Sequence, residues 1–181
     1  VEFWLIWIAV DLVGVPLLWR TIEAVRAVAD DIVVVVAPGS EPELPADVRV
    51  AYDPATGQGP LVGVLAGLEA VRHDSVIVVG GDMPWLRPEV LRLMLATLDE
   101  AAGAIALEVD AQAQQLPLVV RRDAALEATR RLTGSGERRL GALLDALQVT
   151  TIAEVDWRAI DPEADTVRDV DTLEDLGSRS L

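Results

Sequence analysis

Short apolar runs rich in valine and isoleucine alternate along this chain with stretches of helical periodicity, and that alternation restricts the fold more than any other feature. "FWLIWIA" (Phe3 to Ala9) reads as a buried strand, "PLLWRTIEAVRAVA" (Pro16 to Ala29) as a helix with proline in its first turn, and "IVVVVA" (Ile32 to Ala37) as a second strand. These three make a βαβ unit. After a Pro-rich loop come "VRVAY", a helix opening at Pro60, the strand "SVIVV" (Ser75 to Val79) and the helix "EVLRLMLATLDEAA". Beyond "AIALEV" the order loosens through "LPLVVRR", two helical stretches between Asp123 and Leu147, "TTIAEV" and a closing "VRDVDTLEDLG". The pattern predicts one three-layer α/β/α Rossmann-like domain over residues 1–181, with a mainly parallel sheet and right-handed crossovers.

The apolar run from Phe3 to Trp19 raises the question of a membrane span or a signal sequence. A span needs about 20 apolar residues, and this run carries Asp11, Gly14 and Pro16 inside it. Glu2 precedes it where a signal would carry positive charge, and helical periodicity continues beyond it. The expectation is a cytoplasmic protein with no membrane partner. The chain is 51% hydrophobic but only 4% aromatic, so valine, leucine, alanine and isoleucine fill its core. The absence of cysteine excludes a disulfide framework and a thiolate nucleophile. The net charge of -15, with 15 arginines as the basic residues and no lysine, argues against nucleic acid as a partner.

Ligands of open α/β sheets sit beyond the carboxyl ends of strands, so chemistry is sought in the segments just after strands. In "VIVVGGDMPWL" two glycines free the backbone, and Asp82 comes next, where nothing local needs a charge. A carboxylate there either suits Mg²⁺ or caps the turn before Pro84. In "AYDPATGQGPLVGVLAGLE" Asp53 follows a strand, as a ligand contact or as an Asx-turn residue. The same segment brings Gly59 and Pro60 to a helix start, where unpaired N–H groups favour an anion. Gly59, Gly63 and Gly67 share one helix face, for ligand approach or for packing.

The block "GPLVGVLAGLEAVRHDSVIVVGGDMPWLRPEVLRLML" resembles the central part of the molybdenum cofactor guanylyltransferases, the MobA-like family of nucleotidyltransferases. "GVPLLWRTIEAV" is similar to that family's first helix, "RRLTGSGERRLGALLDAL" to a later helix and "VRDVDTLEDL" to its closing N-[IV]-N-T-P-E-[DE]-L element. The resemblance implies a Mg²⁺-dependent enzyme that transfers GMP from GTP to a phosphate-bearing acceptor such as molybdopterin. It implies Asp82 as catalytic metal ligand, and Ala9, Asp53, Gly59, Pro60 and Asp82 as nucleotide-binding residues. A cytidylyl- or sugar-phosphate-type transferase is the nearest alternative, and after it a nucleotide-binding relative without activity.

Departures from the family pattern sharpen the expectations. The family's first strand ends in L-A-G-G-x-S-x-R-M-G-x-D-K, a loop that cradles the triphosphate. Here Ala9 matches its alanine, and "VDLVGVPLL" matches the residues just past its lysine. Either the loop is deleted, or the molecule carries one that the written sequence omits; survival of the remaining pattern favours the second. Val35 or a neighbour replaces the second strand's asparagine, "LPLVV" lacks a preceding histidine, and Asp169 and Asp171 stand where asparagines are usual. Asp169 and Asp171 reinforce a metal site or, in the case of Asp171, cap a helix. Arg138 and Arg139 either reach an anionic acceptor or form a solvated face. His73, near a helix end, is expected to meet terminal carbonyls rather than act as a base.

Overall fold

A computed structural model describes residues 14–54, 59–99 and 101–170. The expected strand Phe3 to Ala9, with the site residue Ala9, lies outside this range, as does Asp171. In chain order the elements are α1 (Gly14–Arg26), β1 (Ile32–Val36), β2 (Val48–Tyr52), α2 (Pro60–Ala70), β3 (Ser75–Val78), α3 (Pro88–Thr97) and β4 (Ala104–Val109). β5 (Gln112–Arg121), α4 (Arg122–Gly134), α5 (Gly141–Ala146), β6 (Val149–Ile152), α6 (Glu154–Arg158) and a 3₁₀ turn at Asp165–Val167 complete them.

Strand side chains alternate between faces, and the alternation builds two cores. Val34 and Val36 of β1, Ile77 of β3, Ile105 and Leu107 of β4 and Val119 of β5 point to one side. They meet Leu18, Ile22 and Val25 of α1, Val90, Leu91 and Met94 of α3, and Trp157 of α6. Val33, Val35, Val76, Val78, Ala104, Ala106, Leu118 and Val120 point to the other side. There they meet Leu61, Val64 and Leu68 of α2, Ala125 and Leu126 of α4, and Leu143 of α5. Helices thus cover both faces, and the expected three-layer architecture is present. Val35 packs in this second core at 2% exposure, so the position where the family resemblance expects asparagine is structural here.

Among the described residues, β1 and β2 form a parallel pair, and β3-β5-β4-β6 form a second sheet. β4 and β6 are parallel, but β5 runs antiparallel between β3 and β4. Asp110 and Ala111 join β4 to β5 with φ of 50° and 60°, the left-handed pair that a tight hairpin requires. Each core draws side chains from both sheets, so the strands share one layer. α6 docks through Trp157, which is fully buried and donates from its indole nitrogen to the Glu108 carbonyl at 2.8 Å. No helix among the described residues is long and apolar enough to cross a membrane.

Candidate active site

The buried valines of β3 carry the chain to the rim of the sheet, where Gly80, Gly81 and Asp82 turn away from it. Two long-range hydrogen bonds hold this turn. The buried Thr21 hydroxyl of α1 donates to the Gly81 carbonyl at 3.2 Å, and the Val170 amide donates to the Asp82 carbonyl at 2.9 Å. A Cβ on Gly80 would overlap the Asp82 carboxylate oxygen, so the Asp82 side chain folds back over space that the glycine leaves open. Met83 and Leu86 then plug the first core at 3% and 4% exposure, fixing the turn from below.

The bond to Val170 brings the preceding residue, Asp169, to the same cleft. That cleft, of about 400 Å³, is lined by Asp82, Asp169, Gln114, Gln115 and Pro60, among others. Arg87 secures the strap that carries Asp169. Its guanidinium Nη2 lies 2.7 Å from Asp165 Oδ2 and its Nε 3.8 Å from Asp161 Oδ1, while its amide donates to the Thr166 hydroxyl at 3.2 Å. Asp161 is 1% exposed and accepts from the Thr166 amide at 2.7 Å. Buried carboxylates demand such partners, and through them Arg87 ties this strap beside the Asp82 turn.

A second cleft of about 450 Å³ adjoins the first, and Pro60, Gln115 and Leu140 line both. Its remaining walls are Gly59, Arg138, Arg139 and Gly141. Gly59 adopts φ 93°, and a Cβ there would lie 3.0 Å from both the Cβ and the carbonyl oxygen of Arg138. Glu137 organises the basic wall. Its carboxylate accepts from the backbone amides of Arg138 and Arg139 and from Nε and Nη2 of Arg139. The Arg139 side chain first, then these amides, hold the Glu137 carboxyl down at about 2.

The expected site residues therefore separate. Asp82 and Pro60 line the first cleft, and Gly59 and Pro60 line the second. Asp53 lines neither: its amide is tied to the Val36 carbonyl at 2.8 Å at the end of the β1–β2 pair. One correction concerns the start of α2 as an anion site. Pro60 has no N–H, the Leu61 amide donates to the Arg138 carbonyl at 3.2 Å, and the Val62 amide donates back to Gly59. The protein itself satisfies donors that the sequence pattern leaves open.

Local sequence pattern does not single out Gln114, Gln115, Arg87 or Thr21. The polar run "QAQQ" at the start of β5 is the one signal for the glutamines. The contacts of Thr21 and Arg87 span 60 and 78 residues, beyond any local pattern. Among the described residues no three histidine or acidic side chains converge as a metal cluster. Two carboxylates on one cleft nevertheless fit Mg²⁺, which takes hard oxygen ligands and completes its shell with substrate phosphates and water.

Helices on both faces of the sheet place the chain in the α/β class, whose ligands bind beyond the carboxyl ends of the strands. The MobA-like NTP transferase domain matches residues 8–151, and the chain belongs to that family of nucleotidyltransferase enzymes. The match runs across the join of Ala9 to Val10, which are consecutive in the 181 residues; the sequence has no place for the extra loop expected there. A probable molybdenum cofactor guanylyltransferase of Chloroflexus aggregans is 30% identical over 165 residues, covering 90% of this chain and 78% of that protein. The molybdenum cofactor guanylyltransferase of Desulfosudis oleivorans is 27% identical over 163 residues, covering 90% and 80%. The structure is similar to molybdopterin-guanine dinucleotide biosynthesis protein A of Archaeoglobus fulgidus, with TM-score 0.72, 20% identity, and 98% and 95% of the two chains covered. It is also similar to 2-C-methyl-D-erythritol 4-phosphate cytidylyltransferase of Thermus thermophilus, with TM-score 0.71, 21% identity, and 98% and 96% covered. These structural likenesses show the shared fold.

Proposed function

We propose that this chain transfers GMP from GTP to the phosphate of molybdopterin, acting as a cytoplasmic, Mg²⁺-dependent molybdenum cofactor guanylyltransferase built as one domain. The observation that carries this reading is the placement of Asp82 and Asp169 on one cleft, held together by the Val170 to Asp82 bond of 2.9 Å. The likeness to curated guanylyltransferases supplies the choice of guanine and molybdopterin.

In this reading an oxygen of the acceptor phosphate forms a bond to the α-phosphorus of GTP. The bond from that phosphorus to the bridging oxygen breaks, and pyrophosphate leaves with the electron pair. Positioning and charge stabilisation supply most of the acceleration, so no side-chain nucleophile is needed. Asp82 and Asp169 hold Mg²⁺, whose charge offsets the repulsion between the triphosphate and a protein of net charge -15. Pro60 and Gln115 line both clefts, and Gly59 lines the second. The family resemblance adds Ala9 and Asp53 as nucleotide contacts, Asp53 from the residue just past β2.

Calorimetric titration with GTP and with CTP, each with and without Mg²⁺, tests the nucleotide half of the proposal. GTP is expected to bind at least tenfold more tightly than CTP, and only with the metal. Preference for CTP favours the cytidylyl alternative that the Thermus fold likeness represents.

A further inference from the structure

We propose that Arg87 is a positioning residue for the metal: by pinning the strap it sets Asp169 against Asp82, and it governs the affinity for the divalent cation through Asp169. This rests on the reading of Asp82 and Asp169 as the pair that holds Mg²⁺, and it names what fixes the second member of that pair. Asp169 is exposed, so packing of its own side chain does not place it. Its position comes from the backbone around it, which is anchored at the buried Thr166 and Val170.

The strap meets the segment from Asp82 to Arg87 at both ends. The Val170 amide donates to the Asp82 carbonyl at 2.9 Å. At the other end the Arg87 amide donates to the Thr166 hydroxyl at 3.2 Å, and its guanidinium Nη2 donates to Asp165 Oδ2 at 2.7 Å. The two segments thus pass each other in opposite directions, and Val167, Arg168 and Asp169 span the interval between the clamps. Arg87 is a firm anchor because it directly precedes α3, whose Val90, Leu91 and Met94 are fully buried in the first core. The same guanidinium also faces Asp161, whose carboxylate accepts from the Thr166 amide at 2.7 Å. Arg168 lies 4.0 Å from Asp165, so the Arg87 contact is the shorter of these two ion pairs.

Replacing Arg87 by an uncharged side chain has two effects on a bound cation, and their signs are opposite. Loss of a nearby positive charge strengthens cation binding. Loss of the clamp frees the span that carries Asp169, and metal binding must then order it, which weakens binding. A fall in affinity therefore identifies positioning. Lysine keeps the charge but not the planar fork that reaches both carboxylates, so it restores only part of the clamp.

The test titrates Mn²⁺, which shares the hard oxygen ligation of Mg²⁺, into the full chain without nucleotide and reads the free ion by electron paramagnetic resonance. Each protein is measured at a temperature where its melting curve is still on the folded baseline. Wild type is compared with Arg87→Gln, Arg87→Lys, Asp169→Ala, the double variant Arg87→Gln with Asp169→Ala, and Asp82→Asn. Arg130→Gln, which removes an exposed arginine paired with Glu69, controls for net charge. The expected result is a loss of about tenfold in Arg87→Gln, the scale for partners that orient a metal ligand, and a smaller loss in Arg87→Lys. Arg130→Gln is expected to leave the affinity as in wild type. In the Asp169→Ala background Arg87→Gln is expected to cost nothing further, because its effect passes through Asp169. A merely structural role lowers the melting temperature of Arg87→Gln and leaves Mn²⁺ affinity unchanged; that result overturns the proposal, as does an additive loss in the double variant. If Arg87→Gln does not fold, Thr166→Val, which removes the acceptor of the Arg87 amide, decides: a loss of affinity supports the proposal, and none overturns it. Loss in Asp82→Asn with none in Arg87→Gln refutes the proposal alone. No Mn²⁺ binding to wild type, or equal binding to Asp82→Asn, refutes the metal-pair reading and the proposal with it.

Discussion

The Val170 amide donates to the Asp82 carbonyl at 2.9 Å, across 88 positions of sequence, and in doing so sets Asp169 on the cleft that Asp82 lines. The geometry predicts that Asp82→Asn abolishes Mg²⁺-dependent pyrophosphate release. Asp82 is half-buried at the rim, and substitutions outside the core usually shift stability by about 0.5 kcal/mol or less, so the melting temperature is expected to hold within about 2 °C. Turnover equal to wild type would remove Asp82 from the chemistry.

Asp169 gives a graded expectation. Asp169→Ala deletes an oxygen donor and should raise the Mg²⁺ concentration for half-maximal rate about tenfold, equivalent to about 1.4 kcal/mol of binding. Asp169→Asn retains an amide oxygen and should cost less. A Mg²⁺ titration of both variants checks the order, and the reverse order contradicts a metal-ligand role.

Gly80→Ala tests the fold-back of Asp82 without touching either carboxylate. The new Cβ would occupy the space of the Asp82 oxygen, so the carboxylate must swing aside. Because the clash is with the end of a side chain that can turn away, stability should change little, whereas activity should fall more than tenfold while the protein still melts cooperatively. Unchanged activity would show that the observed Asp82 rotamer is not needed.

The strap depends on Arg87. Replacing it with alanine removes the cation beside Asp161, 1% exposed, and leaves Asp165, 2% exposed, with the more distant Arg168 at 4.0 Å. Removing one member of a buried pair costs about 3–5 kcal/mol; because Arg87 is half-exposed, we expect about 2 kcal/mol, a fall of about 4–8 °C in melting temperature. Scanning calorimetry reads this directly, and a shift under about 1 °C would contradict the strap's assigned role.

Local pattern reveals some of this and conceals the rest, for physical reasons. The valine-rich strands show because burial on both faces leaves a continuous apolar run, as in Val33 to Val36. Asp82 shows because a charge directly after such a run has no packing reason. β5 is hidden: its first half is polar, and its hairpin turns on Asp110 and Ala111 rather than on the Asn-Gly pair that announces such turns. α6 is too short at 5 residues for its periodicity to register. Asp53 comes after its strand as expected, but sequence position carries no information about which cleft a strand end faces.

Acid stability isolates Glu137. Its carboxyl ordinarily titrates near 4.5 and is held at about 2 in the folded chain, mainly by the Arg139 side chain. A depressed carboxylate stabilises the fold fully above about 4.5, and that contribution is lost as pH falls toward 2. Glu137→Gln should therefore flatten the melting temperature between pH 4.5 and 2 relative to wild type. Identical acid limbs would show that the pair is not formed in solution.

Guanylyl transfer itself is decided by pyrophosphate release from GTP in the presence of molybdopterin and Mg²⁺, with the product identified by mass. We expect one pyrophosphate for each molybdopterin guanine dinucleotide formed, lost on chelation and in Asp82→Asn. No release with GTP or CTP, from a protein that still binds nucleotide, would refute transfer and make this chain a binding relative whose direct join of Ala9 to Val10 has removed turnover.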